Sequence, residues 1–165
     1  MQETISQRLN GLAGETQRAS LIPILKALGD RFSSQATSTA GLVITAGGGT
    51  TAKIGAVAFN GVANGVPVTI AAGTAMPALV GTVTASSFNV FCFFVDSASV
   101  VTVVRGTEGT TLAKVKFPNF PEGKALVGYL IVTNGSTFTG GTTALDAATT
   151  VYVSPTGCFD PTILL

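Results

Sequence analysis

The sequence contains no histidine, no tryptophan and only two cysteines, and its nine Lys and Arg against eight Asp and Glu make just 10% of 165 residues charged. An ordinary soluble domain carries about 25%. Without histidine, the usual base behind a Ser or Cys nucleophile and the commonest metal ligand are both missing. A formal net charge of +1 offers no general attraction to nucleic acid or anionic lipid. Long apolar runs are scarce as well. The longest, 90–95 and 126–132, fall short of the ~18 residues of a helical span, and their β-branched and aromatic content marks them as buried strands. A transmembrane barrel needs polar, usually charged lumen positions, yet Lys53 is the only charge between Phe32 and Val95. The start carries Glu3 and no basic segment before an apolar core, so no signal peptide is expected and the chain is expected to be made and kept in a cytoplasm. Cys92 sits among phenylalanines and Cys158 in a terminal loop, which favours two unpaired thiols over a disulfide.

What the chain does have is 20 Gly, 7 Pro and 24 Thr in a sequence that is 46% hydrophobic, a composition of strands and turns. Seven of its charges lie in the first 31 residues, and this asymmetry marks a boundary. Within that first part, Ile5, Leu9 and Leu12 recur at i, i+4, i+7 after a cap at Thr4 and predict a short amphipathic helix ending around 11–14. A second helix is predicted with Ser20 as cap, Pro23 in the first turn and Gly29 as stop, its stripe formed by Leu21, Leu25, Leu28 and Phe32. These leucine stripes either pack on the chain's own body or dock onto another copy or another protein. The small, polar, aperiodic stretch 33–41 reads as a linker and favours docking. The expected organisation is therefore a helical arm over 1–32, a linker over 33–41 and a β-domain over 42–165.

From residue 42 onward, strands are predicted at 42–45, 53–59, 66–71, 78–84, 88–95, 99–105, 112–117, 125–133 and 149–153, with turn residues about every ten positions. Asn60-Gly61 and Asn64-Gly65 are among the predicted turns, and 99–105 is expected to pair with 111–117 across Gly106–Gly109. The fold class is mainly β: an antiparallel β-sandwich or jelly-roll-like domain preceded by a short helical N-terminal arm. Several predicted strands carry Ala, Gly, Thr, Val or Phe on both faces. One face belongs in the domain core; covering the other with a neighbouring chain predicts a homo-oligomer, first of all a trimer.

No constellation for chemistry emerges. Gly47–Lys53 lacks the phosphate-loop spacing and no helical pattern follows it. Asp96, Glu108, Glu122, Asp146 and Asp160 each sit in or beside a turn, where an acid caps backbone N–H groups, and they are too scattered for a hydrolase pair or a calcium site. Lys114, Lys116 and Lys124 are flanked by Glu108 and Glu122, which suits a solvated strand edge better than a nucleic-acid face. The expectation is no catalytic, cofactor or metal residues, no nucleic acid and no membrane partner.

The phrases Glu122-Gly-Lys-Ala-Leu-Val-Gly-Tyr-Leu-Ile-Val132, Phe138-Thr-Gly-Gly-Thr-Thr-Ala-Leu-Asp146 and Phe159-Asp-Pro161 resemble small virion proteins of tailed bacteriophages, of the capsid decoration (cement) and head-fibre kind. The opening Ser6–Arg18 and Leu21–Leu28 are similar to the arm that precedes the β-domain in such chains. The resemblance touches about half the chain. It implies a non-enzymatic structural protein that binds the outer surface of the major capsid protein shell, commonly as a homotrimer, with Ile5, Leu9, Leu12, Leu21, Leu25, Leu28 and Phe32 as candidate capsid or subunit contacts. Its place would be the virion surface. The alternative is a tail-fibre or receptor-binding domain that recognises a cell-surface glycan.

Overall fold

The computed structural model describes residues 15–159. Among the described residues the α-helix α1 (Glu15–Ser33) leads into eleven strands: β1 (Gln35–Ala36), β2 (Val43–Ile44), β3 (Ala52–Lys53), β4 (Phe59–Ala63), β5 (Val66–Ile70), β6 (Thr82–Val83), β7 (Phe88–Val95), β8 (Val101–Arg105), β9 (Ala125–Thr133), β10 (Phe138–Thr139) and β11 (Thr149–Val153). The architecture is mainly β and antiparallel, with the helix at its N-terminal side. The central sheet runs β11-β9-β7-β8, and a second sheet runs β1-β4-β5; two small ribbons, β2-β3 and β6-β10, complete the set.

The long strands form where apolar residues run without interruption. Along β7 the side chains alternate between two cores. Phe91, Phe93 and Val95 join Phe59, Ile54, Leu130 and Phe138 between the sheets, whereas Val90, Cys92 and Phe94 join Leu126 and Tyr129 on the other face. The β7–β9 register slips between Phe93 and Phe94. Gly128 lies at this bulge, where a Cβ would stand 2.7 Å from both Leu42 Cδ1 and the Val153 carbonyl oxygen. Only glycine lets the three strands approach there.

The second face of β7, expected to need a neighbouring chain, is covered within the chain itself. Val115 is buried on it, and Phe117, Phe120 and Phe159 pack over it. Phe117 meets Tyr129 edge-on at 5.0 Å and Phe159 at 5.8 Å, and Phe120 meets Phe94 at 4.9 Å between ring centroids. The sandwich thus gains a third, irregular aromatic layer.

Several local expectations change. The predicted strand at 112–117 is instead a 3-10 turn (Leu112–Lys114) followed by extended chain, tied to Thr107 by one bridge at Lys116. Residues 99–105 pair with β7 because the intervening turn is closed by Asp96, whose Oδ1 accepts the Ala98 and Val100 N–H groups. Lys114 and Lys116 still point to water while Val115 and Phe117 turn inward. Asn60-Gly61 lies inside β4, where a Cβ on Gly61 would press on Gln35 O and the Phe59 ring at 3.1 Å. The true β4–β5 hairpin turn is Asn64-Gly65, with φ of 51° and 76°, the left-handed pair a tight two-residue hairpin demands. Residues 53–59 and 78–84 form strands only at 52–53, 59 and 82–83.

The segment 33–41 is no free connector. It carries β1, and Ala36 and Ala40 are buried in the inter-sheet core. Its small polar residues bond to the body: Thr37 and Ser38 N–H donate to Asn60 O, and Ser34 Oγ accepts the Asn64 N–H.

Candidate functional site

The predicted second helix is longer than its signals implied. α1 runs through Pro23 and Gly29. Pro23 offers no N–H to the Ala19 carbonyl, a loss that can reach ~3 kcal/mol in a helix interior, but Ala19 is exposed and water can satisfy its carbonyl. The helix stops at Ser33, where the hydroxyl donates to Asp30 O at 3.1 Å and the Ser33 carbonyl accepts the Gly65 N–H at 2.8 Å. With its end held by the body, the helix does not need Gly29 as a stop.

One face of α1 meets the body. Asp30 Oδ1 accepts the Gly123 N–H at 2.8 Å, Lys26 pairs with Glu122 at 3.0 Å, and the Arg31 guanidinium lies 4.2 Å from the Phe120 ring centre. An open groove of about 270 Å³, lined by Pro23, Lys26, Ala27, Asp30, Phe120 and Glu122, separates the rest of this face from the sandwich. The contacts are therefore polar and few. Cys158 passes the same junction, its Sγ 3.8 Å from Arg31 O, and Gly157 N–H donates to Ala36 O at 2.7 Å.

At about 100° per residue, the opposite face carries Leu21, Ile24, Leu25, Leu28 and Phe32. All five, with Ile22 beside them, are exposed, from 36% for Leu21 to 61% for Ile24 and Phe32. Other exposed large apolar residues, such as Val57, Val80 and Val151, are spread along the body; scattered singly they need no explanation, but six on one helix do. Among the described residues, neither hydrophobic core includes a residue of the stripe. Leu21, Leu25, Leu28 and Phe32 share it, as their spacing implied; Ile5, Leu9 and Leu12 lie outside the described residues. Ile22 and Ile24 were not singled out from the sequence. Their signal was available in their flanking positions on the wheel.

The body's acids serve backbone and ion-pair roles. Asp96 closes the β7–β8 turn and lies 3.9 Å from Lys124, and Asp146 Oδ2 accepts the Gly48 N–H at 2.8 Å. Glu108 accepts the Thr84 N–H at 3.0 Å and pairs with Arg105 at 2.9 Å; bonding from Thr84, assisted by the Arg105 charge, holds its carboxyl below the usual range. Both cysteines are free, Cys92 buried and Cys158 exposed, and burial pushes the Cys92 thiol well up. Among the described residues no three His, Cys, Asp or Glu side chains converge as a metal site, and no helix is long and apolar enough to cross a membrane.

No protein-family model, curated protein or solved structure matches this chain.

Proposed function

We propose that the protein is a non-catalytic virion component that adds to the outer surface of a tailed-phage capsid as a decoration protein, its helical arm serving attachment. The observation that carries this reading is the apolar face of α1, turned away from the sandwich that the described residues form. A sandwich that closes both faces of its central sheet with its own residues is self-sufficient; an exposed leucine stripe on a helix anchored at its C-terminal end is a surface for another chain. The structural use of Asp96, Glu108 and Asp146 supports an assembly role over hydrolysis. Many arms on one shell would turn weak single contacts into avidity.

The test mixes purified protein with undecorated phage capsids, pellets the shells, counts bound copies and records the temperature at which the shells disrupt. Saturable, high-copy binding with a raised disruption temperature is expected, and Leu25→Ser with Leu28→Ser should weaken it. Absence of capsid binding together with binding to host cells would overturn the decoration reading and move the protein to a tail fibre.

A further inference from the structure

We infer that the outer edge of β8 pairs with the same edge of a second copy, antiparallel and about a two-fold axis at Val103, so that two four-stranded central sheets become one continuous sheet. The inference goes beyond the attachment reading above and uses no part of α1, whose apolar face stays free in both copies.

The edge is open because its cover stops short. The Gly106 N–H donates to Val90 O and the Asp96 N–H to Val100 O, so the even-numbered backbone groups of β8 face β7, and those of Val101, Val103 and Arg105 face outward. Thr107, next in the outward series, exchanges two bonds with Lys116, at 2.8 and 3.2 Å. Continued by two residues, the same register sets Pro118 opposite Arg105, and proline has no N–H to give. The ladder ends there. Among the described residues no backbone bond reaches the outward groups of Val101, Val103 or Arg105.

The other sheet edges are blunted. Asn60 O accepts the Thr37 N–H, which turns the even-numbered groups of β4 toward β1 and leaves Pro67 on the outward side of β5, where its missing N–H interrupts any further pairing. β1 is bridged on its far side, with the Gly157 N–H donating to Ala36 O. β11 runs into Ser154, which is tied to Thr39 and to the Leu42 N–H. β8 has no such device: its one charge, Arg105, is paired with Glu108, and Lys124 is drawn back onto Thr102 and Asp96. Its side chains are apolar on both faces, Val101 and Val103 toward the inter-sheet core and Val104 toward the aromatic layer. An edge of this kind is a template for another strand.

The occupant follows from the edge's own symmetry. A two-fold axis at Val103 sets that residue opposite its copy and Val101 opposite Arg105, so every outward group finds a partner and each pair exchanges two N–H···O bonds. Sliding the copies by two residues one way brings in Ser99, whose φ of 62° is turn geometry; the other way brings in Thr107, which Lys116 already holds. Only the centred register pairs all three residues of both copies. It also keeps the two arginines apart, each beside a valine. The surface beyond the ends of the strand agrees. Val100 is 54% exposed beside Val101, and Val80 is 55% exposed next to Gly81, which lies against the Arg105 side chain. Because the axis reverses the strand, it carries Val80 of each copy toward Val100 of the other. Edge and flanking valines together offer on the order of 500 Å² per copy, toward the small end of specific interfaces, so a dimer in exchange with its monomer is expected.

Sedimentation equilibrium on the full chain at tens of micromolar should give twice the chain mass. Val103→Pro, which removes an outward N–H and no bond to β7, should give the single-chain mass. Val80→Asp with Val100→Asp should do the same by setting like charges against each other, and since both positions are exposed the far-ultraviolet β signal should stay in place. Amide exchange followed by NMR reads the register. In the dimer the Val101, Val103 and Arg105 amides should exchange about ten-fold more slowly than in dilute protein, whereas Thr102 and Val104, bonded to β7, should keep one rate. A wild-type monomer or trimer at these concentrations, a dimer that survives the double aspartate variant, or outward amides whose exchange ignores dilution would each overturn the pairing. Capsid binding by a chain that is monomeric in solution would overturn the two-fold edge alone; a dimer that binds no capsid would overturn the decoration reading alone.

Discussion

If the outer face of the central sheet is sealed by the chain's own aromatic layer, removing one ring from that layer must destabilise an isolated body. Phe117 is the most informative choice. It is half-buried and meets Tyr129 edge-on at 5.0 Å and Phe159 at 5.8 Å. Truncating it to alanine removes about half of a full phenylalanine burial, roughly 1–2 kcal/mol, plus an aromatic pairing contribution of about 1 kcal/mol. The expected loss is about 2–3 kcal/mol. For a chain of this size, each kcal/mol lowers Tm by roughly 2–4 °C, so Phe117→Ala should melt roughly 4–12 °C lower. Thermal circular dichroism at two protein concentrations makes the measurement, so that any contribution from association shows as a concentration dependence. A cover supplied within the chain makes the Tm difference independent of concentration. A shift below about 2 °C, or one that changes with dilution, would refute the intramolecular seal and return that face to a neighbouring chain.

Three further outcomes are expected. Gly128→Ala should cost about 1–3 kcal/mol, because its Cβ would press on a backbone carbonyl that cannot move aside; Gly29→Ala, with open space around it, should stabilise α1 by about 0.5–1 kcal/mol, and paired urea melts compare the two. Native protein should react with a thiol reagent at one cysteine only, Cys158, and at both after unfolding, because Cys92 is buried and its thiol is held protonated; two rapidly reacting native thiols would contradict the packing of β7. Glu108 is held below its usual range in the folded state, so its contribution to stability is present above the unfolded carboxylate value of about 4.3 and is lost as pH falls through the lower folded value. Glu108→Gln should therefore lower the urea midpoint at pH 7 and flatten its fall on acidification; an unchanged pH profile would show that the Thr84 and Arg105 contacts carry no linkage.

Legibility in the sequence followed the length and continuity of each apolar run. Strands β5, β7, β9 and β11 coincide with runs rich in Val, Ile, Phe and Tyr, residues that favour extended chain. The strands that shrank, around 53–59 and 78–84, are interrupted by Gly55, where a Cβ would press on the Gly41 carbonyl oxygen, and by Gly81, whose φ of 84° lies outside strand geometry. The alternation of Lys114, Val115, Lys116 and Phe117 correctly separated outside from inside but not strand from irregular cover, because a layer lying on a sheet needs the same in-and-out pattern as a strand within one. β1 was hidden for the opposite reason: Ser34, Gln35 and Ala36 make no apolar run, and Ala36 reaches the core through pairing with β4 that no local pattern announces. For α1, period alone grouped Leu21, Leu25, Leu28 and Phe32. Which way that group faces was not legible, since it depends on Asp30 reaching a backbone N–H ninety-three residues away at Gly123.

That long-range bond also gives the uneven charge distribution a physical reason. A helix that offers one apolar face outward must not offer a second one inward, or it would lie down on its own sandwich in more than one rotation. Lys26, Asp30 and Arg31 provide the inward face with directional contacts: an ion pair with Glu122, a hydrogen bond from Gly123 and a cation over Phe120. The Lys26–Glu122 pair is largely exposed and adds little stability by itself, but the three contacts together select one rotation of the helix and so aim the stripe. In a chain with so few charges, placing them along this face makes the difference between a helix that hides its leucines against the body and one that presents them. Replacing Asp30 by Leu, which swaps the directional bond for apolar surface, should let α1 roll toward the body; the same change in a helix whose stripe already faced inward would do nothing to its assembly. Loss of capsid binding in Asp30→Leu with the sandwich intact would identify the aiming of the helix, beyond the leucines themselves, as the determinant of attachment.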